Sequence, residues 1–166
     1  MLERLCASPV VIMNGTFLVS PLLFSQLYTL HGEFRGAIFP VMYVPLPEKT
    51  RETYEAVVSL IVQEANRINC EFIPDTFLLD FELAMMSAIR SVFPSSRIQG
   101  CYFHFTQALW RNCLRIRLKR FYQNPLTKMF VRSIMALPSV SLDKIQRALD
   151  IIMSKRLLVL HLLMTC

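Results

Sequence analysis

Phe77-Leu78-Leu79-Asp80-Phe81-Glu82 is the stretch on which the reading of this chain turns. A run of bulky apolar residues stops at a carboxylate, and a helical pattern begins directly after it. A short apolar run of this kind reads as a buried strand. Open α/β sheets place ligands in the crevice beyond the carboxyl ends of their strands, which puts Asp80 where chemistry would be done. The competing reading is local: Asp80 caps the following helix by accepting a backbone N–H two or three residues on. Glu82, on that helix, would project away from Asp80 and reads as a first-turn acid favoured by the helix dipole.

Upstream, Pro9-Val10-Val11-Ile12-Met13 is a β-branched run that meets the turn dipeptide Asn14-Gly15. Residues 24–31 alternate loosely, Gly32 and Gly36 bracket a turn, and Ala37–Val44 is a third extended run. Three strands on tight connections predict an antiparallel meander. Pro40 has no N–H to donate and so places the third strand at the sheet edge. Tyr54, Val57, Val58, Ile61, Ala65 and Ile68 then recur at helical spacing behind a capping Thr50, giving an amphipathic helix of about twenty residues. Downstream the pattern predicts a strand at Thr76–Asp80, a helix at Phe81–Val92, a strand at Arg97–Phe103 and a long basic helix from His104 to Tyr122. The order βββ-α-β-α-β-α is neither doubly wound nor a helix bundle, and it fits an α/β, ribonuclease-H-like mixed sheet. With strands one and four as parallel neighbours, roughly 4.8 Å apart, Asn14 and Asp80 would share one crevice and one ion or pair of ions.

The 166 residues suit one domain, and 54% apolar residues with twelve Phe and nine Met suit a well-filled interior. Asn14, Glu71 and Lys155-Arg156 interrupt the longest apolar stretches, so no membrane span is expected. The acid-bearing start Met1–Cys6 does not read as a secretory signal. Five widely spaced cysteines without a Cys-x-x-Cys pair disfavour a disulfide framework and point to a reducing compartment, cytosol or nucleus. The net charge of +6 is divided unevenly: residues 1–96 hold six Lys/Arg against ten Asp/Glu, and residues 97–166 twelve against two. An anionic partner for the second half follows, with nucleic acid the commonest.

Several ordered motifs carry a resemblance: Asn14-Gly15-Thr16-Phe17, Gln26-Leu27-Tyr28-Thr29-Leu30-His31-Gly32, Leu46-Pro47-Glu48-Lys49-Thr50, Asp80-Phe81-Glu82, and Gly100-Cys101-Tyr102-Phe103-His104 running on to Trp110-Arg111. From about Val11 to Pro138 the chain resembles the Mutator-like element (MULE) transposases. The resemblance implies a ribonuclease-H-like core at 9–122, a partial helical insertion at 123–154 and an atypical leucine-rich tail at 155–166. It also implies an Asp, Asp, Glu set that binds two Mg²⁺ or Mn²⁺ ions and cuts and joins DNA, in the nucleus. Asp80 matches the second acid of that set. Position 14, where the first acid falls, holds Asn14, and no Glu follows Glu82. An amide oxygen adds no negative charge and bridges two cations poorly, so the expectation is a catalytically inactive, DNA-binding transposase fragment. The alternatives are an active metal-dependent nuclease completed by a longer gene product, and a protein-interaction module that self-associates through its leucine-rich tail.

Two further groups of residues stay open between a site and a scaffold. Cys101 and His104 match a Cys-x-x-His pair of the family and are half of a tetrahedral zinc site, with His31, His161, Cys113 and Cys70 as candidates to complete it. The competing reading is a buried Cys and a hydrogen-bonded His at a strand end. Arg111, Arg115, Arg117, Lys119 and Arg120 form an acid-free run in which Arg111, Arg115 and Lys119 would share one helix face. Such a face is either a solvated surface or a salt-sensitive, sequence-independent contact to DNA phosphates. Trp110 reads as a core residue, and His31 as a structural histidine at the end of the second strand.

Overall fold

The computed structural model describes residues 1–16 and 23–156 of the chain. Phe17, His161, Cys166 and most of the leucine-rich tail lie outside the described residues. Two compact units divide the chain, Met1–Cys101 and Tyr102–Cys166.

The first unit is mixed α/β. A short helix, α1 (Leu2–Cys6), leads into β1 (Val10–Thr16), followed by β2 (Gln26–Phe34) and β3 (Ala37–Leu46). Helix α2 (Arg51–Arg67), β4 (Thr76–Leu79), α3 (Leu83–Val92) and β5 (Arg97–Gly100) complete it. Among the described residues the strands make one five-stranded sheet in the order β3-β2-β1-β4-β5. The first three are antiparallel neighbours, whereas β1–β4 and β4–β5 are parallel. The meander is as the pattern predicts, and Pro40 does lie on the edge strand.

Local chemistry fixes the boundaries. Thr50 caps α2 by accepting the Thr53 N–H at 3.2 Å, as the sequence suggests. The β2–β3 hairpin turns on Arg35-Gly36, both with positive φ (52° and 77°), as two-residue primed turns require. Gly32 is therefore not a turn residue; it lies within β2, opposite Val11. Nor does Asn14-Gly15 end its strand: β1 runs on through it to Thr16, because both residues pair with β2. The alternation of β1, β2 and β4 sends Val11, Met13, Tyr28, Leu30, Phe77 and Leu79 into one apolar cluster with Tyr54, Val58, Ile61 and Ala65 of α2 and Met85, Ala88 and Ile89 of α3. Phe77 meets Phe93 with ring centroids 5.0 Å apart, and Phe93 meets Phe72 edge-on at 5.6 Å.

The second unit is helical. It holds α4 (Tyr102–Arg115), a 3₁₀ turn at Leu118–Phe121, α5 (Pro125–Ala136) and α6 (Ile145–Ser154), with shorter 3₁₀ turns between the last two. Its buried cluster is small: Cys113, Leu118 and Val131, with Trp110, Tyr122, Phe130 and Met135 packed around them. Trp110 stacks edge-on against Tyr122 at 4.9 Å, which makes it a core residue as expected. Asn124 caps α5 through the Leu126 N–H at 2.9 Å, with Pro125 in the first turn.

The long basic helix is overturned. It starts two residues earlier than predicted, at Tyr102, and stops at Arg115; Arg117 takes a left-handed backbone (φ 60°) that no α-helix can continue through. Lys119 and Arg120 lie on the 3₁₀ turn beyond that break, so Arg111, Arg115 and Lys119 do not share one helical face. The fifth strand is shorter than predicted because the ladder ends at Gly100 and the next helix starts early: Tyr102 and Phe103 belong to α4.

Candidate functional site

The parallel register of β1 with β4 pairs Val10 with Thr76 and Met13 with Leu79. Asn14, still within β1, and Asp80, the first residue after β4, each follow the last pair of that ladder, which sets them side by side where β4 ends. Asp80 is half-buried, and its Oδ1 accepts the Glu82 N–H at 3.2 Å. This is the backbone bond that the capping reading anticipates, but it closes a turn ahead of the helix. The N-cap position of α3 belongs to Glu82, whose backbone is extended (φ −78°, ψ 108°). Asn14 Oδ1 is buried and has no hydrogen-bond partner.

Glu82 corrects the sequence reading. An extended N-cap residue does not follow helical spacing, and its carboxylate turns inward to accept the Tyr54 hydroxyl at 2.7 Å. Tyr54 in turn accepts a hydrogen bond from Gln26 Nε2. Tyr28, whose phenol oxygen is buried without a partner, stands opposite Gly15 on the neighbouring strand. Burial, and after it the Asp80 charge, Tyr54 and the Glu82 charge, push the Tyr28 phenol far above its ordinary value. Burial, the hydrogen bond to Glu82 and the charges of Glu82 and Asp80 do the same to Tyr54. Both phenols therefore stay protonated, and both carboxylates act on them. Gly15 makes room for this network: a Cβ there would lie 2.6 Å from Gln26 Oε1 and 3.3 Å from the Tyr28 ring. Sequence reasoning missed Gln26, Tyr28, Tyr54 and Glu82. Gln26 and Tyr54, and again Tyr54 and Glu82, are 28 residues apart, too far for any spacing rule.

His31 does not reach this crevice. It pairs with Ile12, two residues back from Asn14, and its Nδ1 is buried without a partner. Cys101 closes the sheet by donating its N–H to the Leu79 carbonyl at 2.7 Å, and His104 lies in α4 with Nδ1 buried and unpartnered. Among the described residues no three His, Cys, Asp or Glu side chains gather where they could hold a metal ion. A pair of divalent cations needs bridging anionic oxygens. The end of the β1–β4 ladder presents one carboxylate, Asp80, and one neutral amide, Asn14, while the Glu82 carboxylate is turned into the tyrosine network. This donor set does not fit two Mg²⁺ or Mn²⁺ ions.

In the second unit Arg111, Arg115, Arg117, Lys119 and Arg120 are all exposed. Arg115 is steadied by Asn112 Oδ1, with bonds of 3.1 and 3.0 Å from Nε and Nη2. The Arg120 guanidinium lies 4.7 Å from the centre of the Phe121 ring. Exposed Lys128 and Arg132, one turn apart on α5, add to the basic surface and were not among the predicted residues. No helix among the described residues is long and apolar enough to cross a membrane.

An α/β unit with a mixed sheet, an acid at the end of a parallel strand and a basic helical unit after it is the pattern of motifs that the sequence resemblance follows. The family model of the MULE transposase domain matches residues 10–108, and the chain belongs to that family. The match takes in β1 through the first half of α4, and with them Asn14, Asp80, Cys101 and His104. No curated protein matches the sequence.

Proposed function

We propose that this chain is a transposon-derived MULE transposase domain that binds duplex DNA through phosphate contacts and does not cut it. The sheet is of the ribonuclease-H-like type, a reading supported by the order β3-β2-β1-β4-β5 with its parallel β1–β4–β5 half. The observation that carries the loss of cleavage is Asn14 following Met13 where Asp80 follows Leu79, the last pair of the β1–β4 ladder: the crevice there has one acid where phosphoryl transfer by two metals needs several. The exposed arginines and lysines of residues 111–132 support the DNA contact, and a nuclear setting follows from that partner.

Duplex binding measured against salt tests the first half of the proposal. Affinity falls steeply as salt rises if phosphates are the target, and a flat response would sink the idea. Incubation with supercoiled plasmid and Mn²⁺, alongside Asn14→Asp and Asp80→Ala, tests the second half. The unmodified chain leaves the plasmid intact; nicking that disappears in Asp80→Ala would instead establish an active nuclease. The Asn14→Asp chain has a second readout. Two carboxylates at neighbouring strand ends repel, so its melting temperature drops without divalent cation and recovers with Mn²⁺.

A further inference from the structure

Residues 83–142 contain no Asp or Glu, and α4 lies within that stretch. One side of this helix is anchored: Cys113 is buried with Leu118 and Val131, and Trp110 packs on Tyr122. Gln107, Arg111 and Arg115 follow one another at steps of four, which places them on one stripe, round the helix from Cys113. All three are exposed, as is Asn112 beside them. An α-helix of 14 residues, with an acid-free outer face complementary in charge to a polyanion, is an object that the major groove of a B-form duplex admits.

Two side chains on that face have the chemistry to read bases. Asn112 Oδ1 accepts from Arg115 Nε at 3.1 Å and from Arg115 Nη2 at 3.0 Å. The amide thus occupies one edge of the guanidinium and holds the fork in one orientation, which lowers the entropy cost of a bidentate contact. The donors left over, two on Nη1 and one on Nη2, make up the edge that meets O6 and N7 of a guanine. Gln107, two turns earlier, offers an acceptor and a donor side by side, the complement of N6 and N7 of an adenine. Arg111 lies between them, one turn from each, and adds its charge to the attraction.

We propose that α4 enters the major groove of duplex DNA and reads sequence there, with Arg115, buttressed by Asn112, on a guanine and Gln107 on an adenine. Eight residues of helix span about 12 Å, so the two bases are about three to four base pairs apart for a helix lying along the groove. The inference rests on the duplex-binding reading above and adds base recognition to its phosphate contacts. Arg115 keeps its place among the salt-sensitive cations, because a cation in the groove displaces counterions whichever atoms its fork meets.

The test incubates the full native chain with a pool of duplexes of randomised core at about 150 mM salt, where phosphate contacts alone hold poorly, and sequences what is retained. The expected pool is enriched in sites that carry a guanine and an adenine at that separation. Arg115→Lys keeps the charge and loses the fork, so the guanine preference disappears while the salt slope on an unselected duplex is unchanged. Asn112→Ala weakens the same preference. Gln107→Ala lowers affinity for the selected site roughly 10-fold and leaves an unselected duplex unaffected, whereas Arg117→Ala weakens both alike. Retention without enrichment would overturn the base reading and leave the phosphate contacts standing. An enriched site that all three α4 variants bind as the parent does would place the reading on another surface and end the proposal. No retention even in low salt would remove both readings together. Melting temperatures check that the variants fold, and the selection on the unmodified chain stands even where one of them folds poorly.

Discussion

Residues 1–101 and 102–166 were built by different means. Among the described residues the first unit gathers seventeen buried apolar residues into one cluster, and its sequence carries seven Lys/Arg against ten Asp/Glu. Among the described residues of the second the cluster holds three, and its sequence carries eleven Lys/Arg against two Asp/Glu. A sheet with helices packed on it takes side chains of its central strands, here β1, β2 and β4, out of water, so burial accumulates quickly. Short helices broken by 3₁₀ turns present narrow stripes instead, and leave long charged side chains in solvent. The stability of the first unit thus rests on packing, and the surface character of the second on charge.

That contrast can be broken at several points, the largest first. Phe77→Ala removes a fully buried ring from the aromatic group with Phe72 and Phe93 and is expected to cost about 4 kcal/mol in urea unfolding. Leu118→Ala, in the smaller cluster, falls near the lower limit of about 2 kcal/mol. Equal losses at the two sites would show that the second unit is packed as well as the first. For duplex DNA, five phosphate contacts predict an affinity drop of a few hundred-fold between 50 and 200 mM salt. Replacing Arg111, Arg117 and Lys119 by Ala lowers the slope of the log–log salt plot by about three, whereas three substitutions on the acidic unit leave it unchanged.

Smaller effects probe the tyrosine network. Tyr54→Phe strands the buried Gln26 amide and leaves Glu82 without its donor, for an expected loss of about 1–3 kcal/mol. Glu82→Gln costs less, because an amide oxygen still accepts the Tyr54 hydroxyl. The smallest effect is in alkali. Both phenols have raised pKa values in the folded state, so their contribution to stability is complete below the unfolded tyrosine value of about 10 and is lost as pH rises beyond it. Absorbance at the tyrosinate band should show two of the five tyrosines resisting ionisation until the chain unfolds. Five phenols titrating together near the ordinary value would refute the buried network.

Much of this was legible in order. The meander, the edge position of Pro40, the Thr50 cap and the strand that ends at Asp80 all follow from local periodicity and turn chemistry, which residues a few positions apart dictate. The placement of Asn14 beside Asp80 was reachable once strands one and four were taken as parallel neighbours. The end of α4 was not legible. Leu114 to Phe121 keeps a helical spacing of apolar residues, yet Arg117 takes a left-handed backbone and Leu118, just beyond it, packs with Cys113 and Val131. Glu82 was misread for a related reason: the helix was started two residues too early, at Phe81, and so took in a position whose backbone is extended.

The sequence by itself determined the meander, the capped α2, the strand leading to Asp80 and the uneven charge, because hydrophobic period, turn residues and ionisable groups are local properties. Tertiary structure alone decided which groups meet. It turned Glu82 toward Tyr54, linked Tyr54 to Gln26 and divided the basic run at Arg117. Each of these contacts joins or displaces residues through packing of the whole unit, a property that no short window of sequence contains.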